Sequence, residues 1–270
     1  MQPILLSKGE KEFIKGLLNQ SIRIDGRDRD EIRPFSVEMN PLPLSPSSCR
    51  VTWGHGYGNT TELLVSVSTE VMKIEESAPQ LSVKSLSGSF GEGIDGAEIC
   101  QVVYSTLLHF IQNSEVLEQS QFVIVNSPYS WKLFIDVLII KAAGAVYEAA
   151  MIGIRETLRK LRFPQLIITP GETISELHFD IDENKPPLKL INKEKLPFAL
   201  SFASVGDSLL RDPSPLEVAV VQSLLVIGVG SGNTILGLNH FGECGMKPAV
   251  LAEIQEGIEA YVAPLRAMGK

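Results

Sequence analysis

The chain has no surplus of positive charge: 24 lysines and arginines face 32 aspartates and glutamates, for a net charge of −8. A protein that grips nucleic acid unaided draws most of its affinity from neutralising phosphates. Any RNA contact made here is therefore expected to be local, or shared with a basic neighbour. Cysteine is scarce as well. Cys49, Cys100 and Cys244 form no CxxC pair and cannot all pair internally, which points to a reducing intracellular compartment rather than a secreted disulfide framework. No apolar run reaches the length of a membrane span, and the opening MQPILLSKGEKEF meets charge almost at once, unlike a signal peptide. His55, His109, His178 and His240 lie far apart without partners at metal-ligand spacing. A GxSxG elbow for a serine hydrolase is missing too. No metal and no cofactor is expected.

What is present suffices for a sizeable core, since 44% of 270 residues are hydrophobic. Periodicity predicts a short helix over Lys8–Leu18, a turn at Asp25-Gly26-Arg27 and a strand over Arg33–Asn40. Cys49–His55 and Thr61–Met72 form a hairpin through HGYGN. Glu75–Asp95 is polar, rich in glycine and serine, and expected to be poorly ordered. From Gly96, residues Ile99, Cys100, Val103, Leu107, Phe110 and Ile111 share one helical face. FVIVNSP and WKLFIDVLII follow as strands, the second apolar on both faces for most of its length. The next helix stripes Val146, Ala150, Ile154, Leu158 and Leu161, and gathers Arg155, Arg159, Lys160 and Arg162 at its C-terminal end, where the dipole favours cations. The last third gives strands at FALSFAS, EVAVVQSLLVIGV and NTILGLNHF, then a helix from Pro248 with Leu251, Ile254, Ile258, Tyr261 and Leu265 inward. DIDENKPPLKLINKEK is too short to be a domain linker. One domain over 1–270 is expected, with halves at about 20–165 and 166–270.

Three features invite chemistry. VIGVGSGNTILG hints at dinucleotide binding, with Glu253 at ribose distance, and a NAD-dependent dehydrogenase is the reading it would support. Its glycines run GxGxG rather than GxGxxG, however, and a strand pattern follows, so Ser231-Gly232-Asn233 is read as a hairpin tip. Asp136 is an acid within an apolar strand, either a general acid of shifted pKa or a hydrogen-bonded structural group, the latter favoured. The strand-to-helix turn Ala142-Ala143-Gly144-Ala145-Val146 has the geometry that seats phosphates in many α/β enzymes, yet it offers no hydroxyl, cation or acid.

Three segments in order carry a resemblance. SIRIDGRDRDEIRPF, YSWKLFIDVLIIKAAGAVYEAA and VGDSLLRDPSPLEVAV resemble the signature segments of RNase PH-like proteins. They look most like the non-catalytic exosome ring subunits, and among those the subunit-forty-two class. The resemblance implies an α+β fold of the ribosomal protein S5 domain 2-like kind, with two pseudo-symmetric halves of mixed sheet packed with helices. It also implies a ring of such subunits around an RNA channel. Active members use phosphate to attack the terminal RNA linkage, which needs cations and donors where charge builds up and a carboxylate to move a proton or hold a metal. Their strand-to-helix turn carries Gly-(Thr/Ser)-Arg. The matching residues here are Gly144, Ala145 and Val146, a degenerate phosphate site, although the helix N-terminus keeps its amides there.

The expected acid falls at Gln222, and SLSGSFGEGIDGAE holds Glu92, Asp95 and Glu98 but no arginine. The resemblance therefore implies an inactive scaffold subunit. Its partners would be RNase PH-like sister subunits, S1/KH-type cap subunits, associated exoribonucleases and RNA in the assembled channel, in nucleus, nucleolus and cytoplasm, with no membrane. Lys84 is a candidate RNA contact. The rival within the family is an active phosphate-dependent 3′-to-5′ exoribonuclease relying on Asp136 or Asp212.

Overall fold

The computed structural model describes residues 6–56, 58–91, 95–124, 127–170, 177–205, 208–221, 223–242 and 248–267. Helix α1 (Lys8–Asn19) starts where Ser7 and Glu10 cap one another, side chain to backbone in both directions. It lays Ile14 and Leu18 against Ala203, Leu210 and Val220.

Strands β1 (Phe35–Met39), β2 (Ser47–Trp53), β3 (Thr61–Lys73), β4 (Gln80–Ser85) and β5 (Tyr129–Lys141) form one mixed sheet in the order β1-β2-β3-β5-β4. All its pairings are antiparallel except β4 with β5. Strand β4 occupies part of the stretch expected to lack order. Its half-polar sequence QLSVKS suits an edge strand with one covered face. FVIVNSP is not a strand in its described part: a 3-10 turn, Gln119–Phe122, leads to a single bridge between Val123 and Ser130.

Strand β5 alternates buried and half-buried residues instead of being fully covered on both faces. Asp136 consequently stands exposed on the open face, in register between Ser66 and Ser82. Neither the buried acid nor the buried structural carboxylate expected there exists.

Helices α2 (Gly96–Asn113) and α3 (Val146–Lys160) lie between this sheet and a second one. The second runs β11-β10-β8-β9, fully antiparallel, from β8 (Phe198–Val205), β9 (Ser208–Arg211), β10 (Ser223–Val229) and β11 (Ile235–Gly242). The strand buried along its whole length is β10. A short helix α4 (Pro215–Val218), closed by a Ser214–Glu217 capping box, takes the place of the strand start expected at EVAVV. Two further strands, β6 (Leu166–Pro170) and β7 (Leu177–Ile181), pair with one another. Gly232 at the β10–β11 tip has φ +63°, and the chain passes straight from this turn into β11, so the glycine run opens no helix and makes no dinucleotide site. Helix α5 (Pro248–Ala267) buries Ile254, Ile258, Tyr261, Val262 and Leu265, whereas Leu251 is exposed.

Helix α3 is buried at every residue from Glu148 to Ile154 because both of its sides are covered there. A Cβ on Gly153 would come within 2.5 Å of Val65 Cγ2 in β3. On the other side, Arg155 lies over the Phe198 ring of β8, 4.0 Å from its centroid.

Candidate functional site

The turn from β5 into α3 is held by specific bonds. Thr61 Oγ1 accepts from Ala143 N at 2.8 Å and donates to the Gly144 carbonyl. Gly144 has φ +77°, and a Cβ there would lie 2.8 Å from the Pro213 carbonyl oxygen and 3.1 Å from an Arg33 terminal nitrogen. Ala145 follows at φ +49° as the N-cap of α3, with no side-chain cap. Gly144, Ala145 and Val146 thus sit where the sequence places them, around a sharp corner packed by backbone and a guanidinium.

That guanidinium is the arginine the sequence argument overlooked. Arg33 is buried and spends its donors internally. Its NH2 bonds Asp212 Oδ1 at 2.6 Å, its Nε bonds both Asp212 oxygens, and its NH1 bonds the Ala143 carbonyl at 2.6 Å and Asn59. Asp212, itself at φ +44° and buried, also accepts from the Arg33 amide at 2.7 Å, from Trp53 Nε1 at 3.2 Å and from Arg27 NH1 at 3.1 Å. Stacking on Phe35 fixes the Trp53 ring. Beside it Arg23 forms a fork with Glu217, at 2.8 and 2.7 Å. Arg27 is bound by Asp25. Three arginines are therefore matched by three carboxylates, and no guanidinium of the three is left for an external anion.

Next to this corner lies a cavity of about 420 Å³ between α2, the turn and the second sheet. Ile99, Val102, Val146, Val221, Leu224 and Phe241 are among the apolar side chains facing it, and Glu98 is the one carboxylate among the described residues that line it. An apolar wall with an acid repels a phosphate dianion twice, by denying it hydration and by like charge.

Sequence reasoning also missed Glu148, in the first turn of α3. Fully buried, it accepts from Ser201 N at 2.6 Å and from the Ser201 hydroxyl through Oε1, while Oε2 has no hydrogen-bond partner among the described residues. Burial first, and then the charge of Asp212, pushes its carboxyl up to about 7. One acid in the otherwise apolar run AGAVYEAAMIGI, on a helix covered all round, was the available signal. Its Ser201 partner lies in β8, so the pair ties α3 to the second sheet.

Of the remaining candidates, Lys84 is exposed on edge strand β4, on the same face as Asp136. It is not part of this corner. Gln222 lies outside the described residues, as does Glu92. No helix among the described residues is long and apolar enough to cross a membrane.

No protein-family model matches the chain. Individual known proteins do resemble it over most of its length. The chain is 25% identical over 244 residues to the exosome complex component Rrp42 of Methanothermobacter thermautotrophicus, covering 86% of this chain and 84% of that one. It is 26% identical over 266 residues to the exosome complex component RRP42 of Saccharomyces cerevisiae, covering 95% of each. A chain in the structure of the Archaeoglobus fulgidus exosome with RNA bound to the active site superposes with a TM-score of 0.75, at 19% identity, over 97% of this chain and 98% of that one. The chain is thus similar over most of its length to exosome components named Rrp42, and it shares its fold with a chain of an archaeal exosome. The α+β arrangement of two sheets around α2 and α3 is the one expected of an RNase PH-like fold, and the β5–α3 corner is where the motif resemblance would put a phosphate-binding turn.

Proposed function

We propose that this chain is a non-catalytic structural subunit of an RNA exosome core ring, one that supports 3′-to-5′ RNA processing and degradation by helping to form the RNA channel. One observation carries the inactivity: the arginine at the Gly144 corner is closed by Asp212, and the adjoining cavity is apolar with an acid in its wall. Gly144, Ala145 and Val146 then persist as a packing corner, Gln222 as the position of a lost acid, and Lys84 as a contact to RNA from the edge of the first sheet. The chain acts as one domain in two halves, and the shared hydrophobic cluster spanning both sheets supports this. Sister RNase PH-like subunits are the ring neighbours. S1/KH-type cap subunits and associated exoribonucleases complete the assembly, in nucleus, nucleolus and cytoplasm.

The test is reconstitution. Mixed with RNase PH-like sister subunits, the chain is expected to enter a ring seen by light scattering. Phosphate-dependent release of nucleoside diphosphate from that ring should be unchanged by Asp136→Asn. A chain that stays monomeric with every sister subunit contradicts the scaffold role. Diphosphate release from the chain alone contradicts its inactivity.

A further inference from the structure

Away from the corner, at the other end of α3, the molecule carries a dense group of cations that nothing above uses. Helix α3 spans roughly 21 Å from Val146 to Lys160 at 1.5 Å per residue, so this end is remote from the cavity. Arg159 and Lys160 occupy its last turn. Arg162 folds back and donates through NH1 to the carbonyls of Arg159, Lys160 and Leu161 at 3.3, 3.1 and 2.8 Å, closing the helix end. The chain then meets Leu188: Phe163 N donates to the Leu188 carbonyl at 3.0 Å, and Leu188 N to that of Phe163 at 2.7 Å. This antiparallel bridge sets Lys189 across from Arg162. Arg155 donates to the Leu196 carbonyl, and Leu196 N donates in turn to the Lys193 carbonyl at 3.4 Å, which anchors the Lys193 turn to α3.

Three of the acids nearby are already engaged. Glu156 pairs with Arg159 at 3.1 Å, Glu115 with Lys195 at 3.4 Å and Asp182 with Lys185 at 3.0 Å. Glu194 lies in the same turn as Lys193 but makes no ion pair with it among the described residues. Lys160, Lys189 and Lys193 are exposed, and their ammonium groups make no ion pair among the described residues. Lost hydration, and then the like charges of Lys189, Arg162, Arg159 and Lys160, hold Lys193 below the usual lysine range. Unpaired like charges held together by backbone bonds cost folding free energy, and an external anion relieves that cost.

We propose that Lys160, Lys189 and Lys193, backed by Arg162, form a contact for the phosphate backbone of single-stranded RNA outside the cavity. The choice of RNA rests on the ring-subunit reading. Lysines are hydrated, rotatable point charges that suit phosphates at variable positions. A protein partner would need an apolar centre, whereas Leu188 is the one large exposed hydrophobic side chain in 155–163 and 184–197. The patch also reconciles a net charge of −8 with local RNA affinity.

The experiment is fluorescence anisotropy of the purified full chain with a labelled oligouridylate across a salt series. A K160E/K189E/K193E variant should weaken binding about tenfold or more at low salt and lower the slope of log K against log salt by about 2, near 0.7 per lost phosphate contact. A K8E/K11E/K15E control makes the same charge change on the exposed face of α1 and should stay close to wild type. Equal weakening by both variants, or unaltered binding by the first, overturns the proposal. So does wild-type binding to polyglutamate but not to oligouridylate, which would make the patch a protein surface. Ring entry is scored separately: RNA loss in the variant without ring formation by the wild type retains the patch and refutes the ring, and the converse refutes the patch.

Discussion

Asp212 shows how a carboxylate can silence a corner without leaving it. It has hydrogen-bonding contacts to two arginines, an indole and a main-chain amide, with its side chain and that of Arg33 almost wholly buried. Breaking a buried pair from one side costs about 3–5 kcal/mol, because the remaining charge stays desolvated. Asp212→Asn tests the charge alone, since asparagine tolerates the left-handed backbone at this position. We expect the unfolding free energy from urea titration to fall by that order, and a loss below about 1 kcal/mol would contradict the ion-pair account. Glu148 makes a second prediction, this one in pH. Its folded carboxyl, near 7, holds a proton that an unfolded one near 4.5 has released. Between those values the native state binds more protons, so its contribution to stability is complete at acid pH and is lost as pH rises towards 7, with a slope of up to about 1.4 kcal/mol per pH unit. In Glu148→Gln that part of the pH dependence should vanish from urea unfolding measured across the window. A variant that keeps the wild-type slope removes Glu148 as its source. Local sequence can single out both acids but not the partners that fix their roles. Asp212 lies 179 residues from Arg33, and Glu148 is buried by a strand that comes 50 residues later.

Among the elements, α3 was the most legible and also the most constrained. Its stripe from Val146 to Leu158 is buried as periodicity requires, and the hairpin β2–β3, helix α2, strand β5 and the tip at Gly232 fall where the pattern put them. The misses share a physical cause. Strands β4, β6, β7 and β9 are short and edge-placed, so pairing rather than alternation defines them. The two-face burial expected of β5 belongs to β10, because what covers a face is decided by elements far away in sequence. Gly153 makes the packing of α3 testable. In an open helix Gly→Ala gains about 1 kcal/mol of propensity. Here the added methyl would meet Val65 at 2.5 Å and Val51 at 3.3 Å, both branched and held in strands. Overpacking of that kind costs about 1–3 kcal/mol and is expected to win, so Gly153→Ala should lower the melting temperature. A rise would mean that α3 can move off the sheet.

At the scale of the whole molecule, the question is where the chain tolerates an anion, and the described surfaces divide it sharply. The corner that the motif resemblance likens to a phosphate turn has its arginines internally neutralised, while lysines without an ion pair among the described residues sit at the far end of α3. Phosphate itself can separate these places. A binding site with Kd near 0.1 mM, in about 10 mM phosphate, would add about 2.7 kcal/mol of stability. For a chain of this length that corresponds to roughly 5 to 10 °C in Tm, and at such concentrations the general salting effect is small. Exposed lysines bind a free dianion too weakly in water to approach that figure. Melting in phosphate, against chloride at matched ionic strength, should therefore agree within about 1 °C. A shift of several degrees that saturates with concentration, and that disappears when Gly144→Val fills the corner in a still-folded chain, would show that the arginines there can be drawn off their carboxylates. The corner would then be a working phosphate seat, and inactivity could no longer be argued from its charges.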